Sequence, residues 1–295
     1  MPLYPGHTDL NGNLITVDEA LNHPTVITER LADLTFDTVL VDKVFGTVGQ
    51  PVTGGAVIYS QTTEKHLFVE GVADRKPGDE YPVIFSEKPD AQLARVQDFG
   101  GKFPVTDEAR RRNNSIDFDN AVTRLANTIT RKLNSRAIET LEAALGTLDD
   151  GGEIAGHPWT DLALDGATPT PASERPTADL AAAQLAADED ELGITYSMLL
   201  VHPRQRAALA TAYGERLKAV MDAAGMTLAS TTQVPAGTAY VVDPGTVGFV
   251  DYEMPLTSET WDDREHRQTW VQSYAMPVMG VTSPRSVRKL TGLAA

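Results

Sequence analysis

Residues 116–148 read IDFDNAVTRLANTITRKLNSRAIETLEAALGTL, and this stretch decides the fold. Phe118, Val122, Leu125, Ile129, Leu133, Leu141, Leu145 and Leu148 recur at steps of three or four residues or multiples of them, with Ala137 filling the gap. That is one apolar stripe on a long helix. Arg124, Arg131, Lys132, Arg136, Glu139 and Glu142 fall off the stripe. Asp117 and Asp119 stand near the start, where carboxylates complement the helix dipole. Gly146 and then Asp149-Asp150-Gly151-Gly152 stop it. Some 30 residues of helix span roughly 45 Å, well above the mean globular length. No partner helix of similar length follows. The pattern therefore predicts the backbone of an extended domain, not a bundle.

Upstream, residues 1–35 look like an arm. Pro2, Pro5, Gly6, Asn11, Gly12 and Pro24 break regular structure. Leu14, Ile15, Val17, Val26, Ile27, Leu31 and Leu34 are too sparse for a core of their own, so the arm needs a surface, in the same chain or another. Val39-Leu40-Val41 and Val44-Phe45 read as β-rich, and Ala56-Val57-Ile58-Tyr59 opens a further strand. Leu67-Phe68-Val69 and Tyr81-Pro82-Val83-Ile84-Phe85 flank the charged run Asp74-Arg75-Lys76-Pro77-Gly78-Asp79-Glu80. This predicts a long two-stranded excursion. Such a hairpin is marginal alone and implies contact with a neighbouring subunit.

Downstream, residues 153 to 176 read as loop-like, with Gly156, Pro158, Gly166, Pro169, Pro171 and Pro176. A helix is expected from Thr177 to Leu192, stopped by Gly193, then a buried strand over 194–201. Pro203 starts another helix with His202 as its cap, and Gly225 ends the helical stretch. Strands follow at 239–242 and 247–252. This helix–strand alternation predicts an α/β layer domain. The C-terminal part reads as a hairpin, Leu256 to Trp261 and Gln268 to Ala275, with a charged turn over 262–266. The final run is Met276-Pro277-Val278 and Val281, then Pro284-Arg285-Ser286-Val287-Arg288-Lys289-Leu290.

The chain has 295 residues, 41% of them hydrophobic, enough for one or two cores. No apolar run approaches the roughly 20 residues of a membrane span, and the first residues lack the pattern of a secretory signal. A soluble chain is expected, acting where it is made or in something assembled there. The absence of cysteine removes disulfides, thiolate nucleophiles and cysteine metal sites. With 25 basic and 41 acidic residues the net charge is −16, which disfavours direct grip on nucleic acid. An acidic container wall that lets a polyanion slide fits this charge, and so does simple solubility.

The search for chemistry finds none. The six histidines, His7, His23, His66, His157, His202 and His266, share no metal-ligand spacing. Asp149-Asp150 and Asp262-Asp263 lie in turns, where acids are common. Gly245-x-x-Gly248 leads into a strand and lacks the rest of a phosphate loop, and no Gly-x-Ser-x-Gly elbow exists. Arg110-Arg111-Arg112 is the one basic cluster. It reads as a solvated or intersubunit ion-pairing face, with phosphate contact as the other reading. No enzyme, cofactor or metal is expected.

Three stretches carry a resemblance. They are Tyr81-Pro82-Val83 leading through Val96-Gln97-Asp98-Phe99-Gly100-Gly101-Lys102-Phe103-Pro104-Val105-Thr106-Asp107-Glu108-Ala109; Ser197-Met198-Leu199-Leu200-Val201-His202-Pro203; and Trp270 to Leu290, ending Pro284-Arg285-Ser286-Val287-Arg288-Lys289-Leu290-Thr291-Gly292. In this order they resemble the major capsid proteins of tailed double-stranded DNA bacteriophages, those of actinobacteriophages above all. Encapsulin shells share that fold. The resemblance covers nearly the whole chain and rests on element order more than on any one motif. It implies an α+β fold with an N-terminal arm (1–38), an extended β-hairpin loop (39–100), a peripheral domain (101–160 and 255–295) carrying the spine helix (116–148), and an axial α/β domain (161–254).

It also implies a virion capsid protein, made in the host bacterial cytoplasm, that self-assembles as hexamers and pentamers into an icosahedral shell around DNA. A portal, a separate scaffolding protein and a decoration protein are the implied partners; the scaffold is inferred from the shortness of the arm. Arg75, Lys76, Asp79, Glu80, Arg110, Arg111 and Arg112 are the expected intersubunit contacts. Some relatives crosslink a loop lysine to an asparagine. Lys65 and Lys76 lie in the loop, but no matching partner is identifiable and no crosslink is expected. The alternatives are an encapsulin-type shell, a tail or decoration protein, and a soluble α/β enzyme.

Overall fold

The computed structural model describes Pro5 and residues 15–36, 39–49, 51–62, 72, 74–78, 80, 81, 83, 84, 89 and 91–294. From Ile15 onward the arm packs on its own chain. Thr16 caps α1 (Val17–Asn22) by accepting from Glu19 N at 3.2 Å, and α2 (Pro24–Phe36) follows at once. Val17, Leu21, Ile27 and Leu31 are buried. They share a core with Phe118, Val122 and Ala126 of the long helix and with Val105 and Val271. Of the two surfaces the sequence left open, the described part of the arm, 15–36, takes the one in its own chain.

The expected strands over 39–45 are a correction. Val41–Val44 is a short helix, α3. Leu40 N donates to Asn134 Oδ1 at 2.8 Å, and Val39 to Phe45 pack into the core beneath the long helix. Burial on that helix overrides the β preference of the side chains. These residues therefore belong to the body and not to the extended loop.

The excursion begins at β1 (Ala56–Ser60) and returns at β2 (Ala91–Arg95), an antiparallel pair with Ile58 opposite Leu93. The return strand expected at Tyr81–Phe85 is a second correction: Tyr81, Val83 and Ile84 are not in a strand. Leu67 to Val69, Lys65, Pro82 and Phe85 lie outside the described residues.

β3 (Phe99–Thr106) leads to α4 (Asp107–Arg111), capped by Thr106, and then to α5 (Ser115–Leu145), the spine. Its 31 residues span roughly 46 Å. Asn114 caps it and Gly146 ends it, three residues before the expected limit. The remaining elements are β4 (Glu153–Ala155), α6 (Pro176–Glu189), β5 (Met198–Val201), α7 (Pro203–Tyr213), α8 (Leu217–Ala223), β6 (Thr227–Ser230), β7 (Ala239–Val242), β8 (Gly248–Asp263), β9 (Gln268–Val281) and β10 (Val287–Thr291). β4 corrects the start of the stretch expected as loop, since pairing with β10 makes 153–155 a strand. Arg175, not Thr177, occupies the cap position of α6, with Pro176 in the first turn. His202 caps α7 as expected, its Nδ1 accepting from Arg204 N at 3.1 Å.

Two larger sheets flank the spine. One has the order β3-β9-β8; the other runs β4-β10-β7-β5-β6. β8 and β9 form one long hairpin that crosses the expected domain boundary at 254/255 without a break. The two strands expected at 247–252 and 256–261 are one strand, irregular between Tyr252 and Thr257, where Pro255 falls. At its start Gly248 is required: a Cβ there would lie 2.0 Å from Gly280 O. The last strand is a third correction. Val287–Thr291, expected in the peripheral part, pairs with β4 and β7 in the five-stranded sheet. Val287 and Leu290 are fully buried, one in each of the two cores that sheet separates. An edge position could not give them that burial.

Candidate functional site

The extended ribbon is two-faced. Val57, Tyr59 and Ala94 turn inward on Phe249 and Val278, with Tyr59 and Phe249 edge to face at 5.5 Å. By the period of two, their neighbours Ile58 and Leu93 face out, 74% and 54% exposed. Seven of the eleven exposed large apolar residues among those described lie between Val48 and Leu93. Scattered singly, such residues would need no explanation; here most of them fall in one stretch of the chain. Arg75, Lys76 and Glu80 are exposed there, Arg75 stacking 4.9 Å over the Tyr81 ring. Asp79 lies outside the described residues.

The arginine cluster divides. Arg110 is used within the chain. Its Nε pairs with Asp18 of α1, its Nη1 is 3.6 Å from Asp262, and its Nη2 donates to Asn22 at 3.4 Å. It stitches the arm to the tip of the β8–β9 hairpin. Arg111 and Arg112 are exposed and make no ion pair among the described residues.

Of the acidic pairs that could suggest catalysis, Asp149-Asp150 lies in a turn as expected, whereas Asp262-Asp263 ends β8, paired with Thr269 and Gln268 just before the turn over 264–267. Asp263 accepts from His266 N, from Gln268 Nε2 and from Trp270 Nε1 at 3.2 to 3.3 Å. Desolvation works against its charge, but these bonds hold the carboxyl well below the usual range. Its neighbour Asp262 turns the other way, toward Arg110 and Arg264. Asp150 takes Arg285 at 2.6 Å and Arg288 at 2.9 Å. Desolvation again opposes, and the two guanidiniums hold its carboxyl down to about 2. Among the described residues no three His, Asp or Glu are grouped to hold a metal.

Two polar clusters escaped the sequence reading. Arg288, 3% exposed, also pairs with Asp190 at the end of α6, so one guanidinium joins the spine's exit, α6 and β10. Beside it Tyr196 Oη donates to Arg285 O at 2.8 Å, and burial pushes that phenol up to about 12. The second cluster centres on Asp179, also 3% exposed. It accepts from Trp159 Nε1 at 2.7 Å and from His157 N at 3.2 Å, and His157 Nδ1 lies 2.7 Å from its other oxygen. Nothing in the local sequence of β10, where Arg288 stands beside Lys289, singles out the first. In both clusters the carboxylates and their donors are bonded to one another across elements. They lock elements together.

A family profile described as phage capsid protein matches residues 89–290. A search among curated proteins finds no match. Among solved structures, Mycobacterium phage Bobi aligns with a TM-score of 0.60 at 13% identity, over 85% of this chain and 89% of its own. The capsid of Myoviridae phage XM1 aligns at 0.56 and 18% identity, over 88% and 92%. A virus-like particle from Pyrococcus furiosus aligns at 0.56 and 12% identity, over 89% and 98%. At such identities these structures speak for the fold, and the profile for the family.

Proposed function

Because this chain belongs to the phage capsid protein family, we propose that it is the major capsid protein of a tailed double-stranded DNA bacteriophage. Its role is structural and not enzymatic. Copies associate as hexamers and pentamers that close into an icosahedral shell around the genome. Shells of this kind form from many heterologous contacts repeated with closure. The encapsulin alternative is not favoured, since the matching family is that of phage capsids. The capsid of the virion is the protein's place, and the host bacterial cytoplasm is where it is made. A separate scaffolding protein and a portal are its further partners, with a decoration protein in particles that carry one.

The observation that carries this reading is the two-faced β1–β2 ribbon. A pair of strands standing alone is marginal in water. Here one face rests on the body and the other exposes Ile58 and Leu93. A neighbouring copy would cover that face. Arg75, Lys76, Asp79 and Glu80 on the excursion and Arg111 and Arg112 beside α4 are the charged contacts this reading assigns to neighbours. Arg110 acts within the chain, holding the arm.

The double variant Ile58→Thr/Leu93→Thr, which keeps β-forming side chains and sets no like charges opposite one another, tests the ribbon's role. Neither side chain touches a core, so the subunit's stability in denaturant should change by no more than about 0.5 kcal/mol. Sedimentation should show that closed particles are lost and free subunits accumulate. Particles at the parental yield would sink the assignment.

A further inference from the structure

Charge is unevenly spread along the spine. From Asn120 to Ile138 it carries Arg124, Arg131, Lys132 and Arg136 and no carboxylate, in a chain with 41 acidic residues. Arg131 borders a groove of about 520 Å³ between the spine, the turn of α3 and the edge strand β6. Lys43 and Arg206 border it too. Its remaining polar lining consists of amides and hydroxyls, among them Asn127, Thr232 and Gln233, and among the described residues no carboxylate lines it. Asp42, the nearest acid in sequence, lines a different cavity with Tyr252. Arg206 Nη1 donates to Ser230 Oγ at 3.1 Å, which holds the guanidinium at the mouth. Arg131, Arg206 and Lys43 are exposed to solvent.

We propose that this groove is a phosphate-binding site through which the shell wall contacts the backbone of nucleic acid, without reading its sequence. The inference rests on the reading that the shell encloses DNA. Three cations with hydroxyl and amide donors and no anion match the chemistry of a phosphodiester strand. An acidic peptide would need apolar anchors as well, and the groove offers few. The contrast lies on the other side of the spine, where Arg124 and Lys132 rim a groove floored by Phe99, Leu125 and Ile129. The site also resolves a conflict of charge. A wall of net charge −16 repels DNA as a whole. One cationic groove per subunit gives the polyanion a weak, repeated foothold against that background.

The test is fluorescence anisotropy of a 20-base-pair duplex of arbitrary sequence, titrated with the full chain over a range of salt. Each phosphate contact adds about 0.9 to the slope of log K against log salt, so the parent should show a slope of roughly −2 to −3. Arg131→Gln/Arg206→Gln should reduce the slope by about 1.8 and weaken binding at least about tenfold at low salt. Lys218→Gln/Arg264→Gln makes the same change of charge elsewhere and should leave the slope as it was. Equal losses in both double variants would reduce the effect to net charge and overturn the site. So would parental DNA binding by the groove variant, including the case where it fails to form particles, because the groove would then be a protein contact. Electron microscopy of the same samples keeps the two claims apart. Absence of particles from the parent defeats the shell reading, whereas intact particles with an unchanged slope defeat only the groove.

Discussion

Arg288 lies between Val287 and Lys289 on β10, and it is buried with Asp150 and Asp190 as its partners. Breaking a buried ion pair by removing one side leaves an uncompensated charge. Arg288→Met should therefore cost about 3 kcal/mol in urea unfolding, far more than a surface change. The same cluster sets an acid limit. Asp150 ionises at about 2 in the folded chain, below its ordinary value of 3.8. Its contribution is thus fully present above about pH 4 and is lost as the pH falls toward 2. Thermal melts across that window should lose stability more steeply for the parent than for Asp150→Asn; identical slopes would remove Asp150 from the account. None of this was legible in the sequence. Asp150 and Arg288 are 138 residues apart, and no local pattern connects them. What could be read was local: His202 before Pro203 as a cap, and Asp149-Asp150 in a turn.

At the scale of elements, periodicity decides what can be read. The spine was legible to within three residues, since its stripe repeats over 31 residues and its stops lie in the same stretch. Leu141 is fully buried on that stripe, and Leu141→Ala should cost about 2–5 kcal/mol. Ile116, 73% exposed at the first turn, should tolerate alanine within about 0.5 kcal/mol. A reversed order of the two effects in denaturant titrations would mean that the stripe is assigned to the wrong face. Short apolar runs misled where burial came from afar. Val39 to Phe45 has β-forming side chains, yet Asn134 and the spine's underside make it a helical turn. Val287–Thr291 was correctly a strand but was given to the wrong sheet, because pairing partners are not written in a strand's own residues.

The molecule as a whole combines a body that completes its own cores with an excursion that does not. The arm, the spine and the two sheets bury their apolar faces against one another. The ribbon buries one face and exposes the other. A chain built so has a stable subunit and an unmet surface, which suits repeated association better than solitary catalysis. The order of elements carried that conclusion in the sequence, and the profile match over residues 89–290 supports it independently. The assignment of charged contacts was less legible, since an ion pair within the chain and one between chains use the same residues. Arg110 falls on the first side, and Arg111 and Arg112 are assigned to the second.

Cryo-electron microscopy of the protein, expressed alone and with its neighbouring phage genes, tests the central claim most directly. The account predicts closed icosahedral shells of hexamers and pentamers, with the β1–β2 ribbon of each copy covered by another and DNA inside native particles. A monodisperse monomer or dimer under every condition, scaffolding protein included, would contradict it.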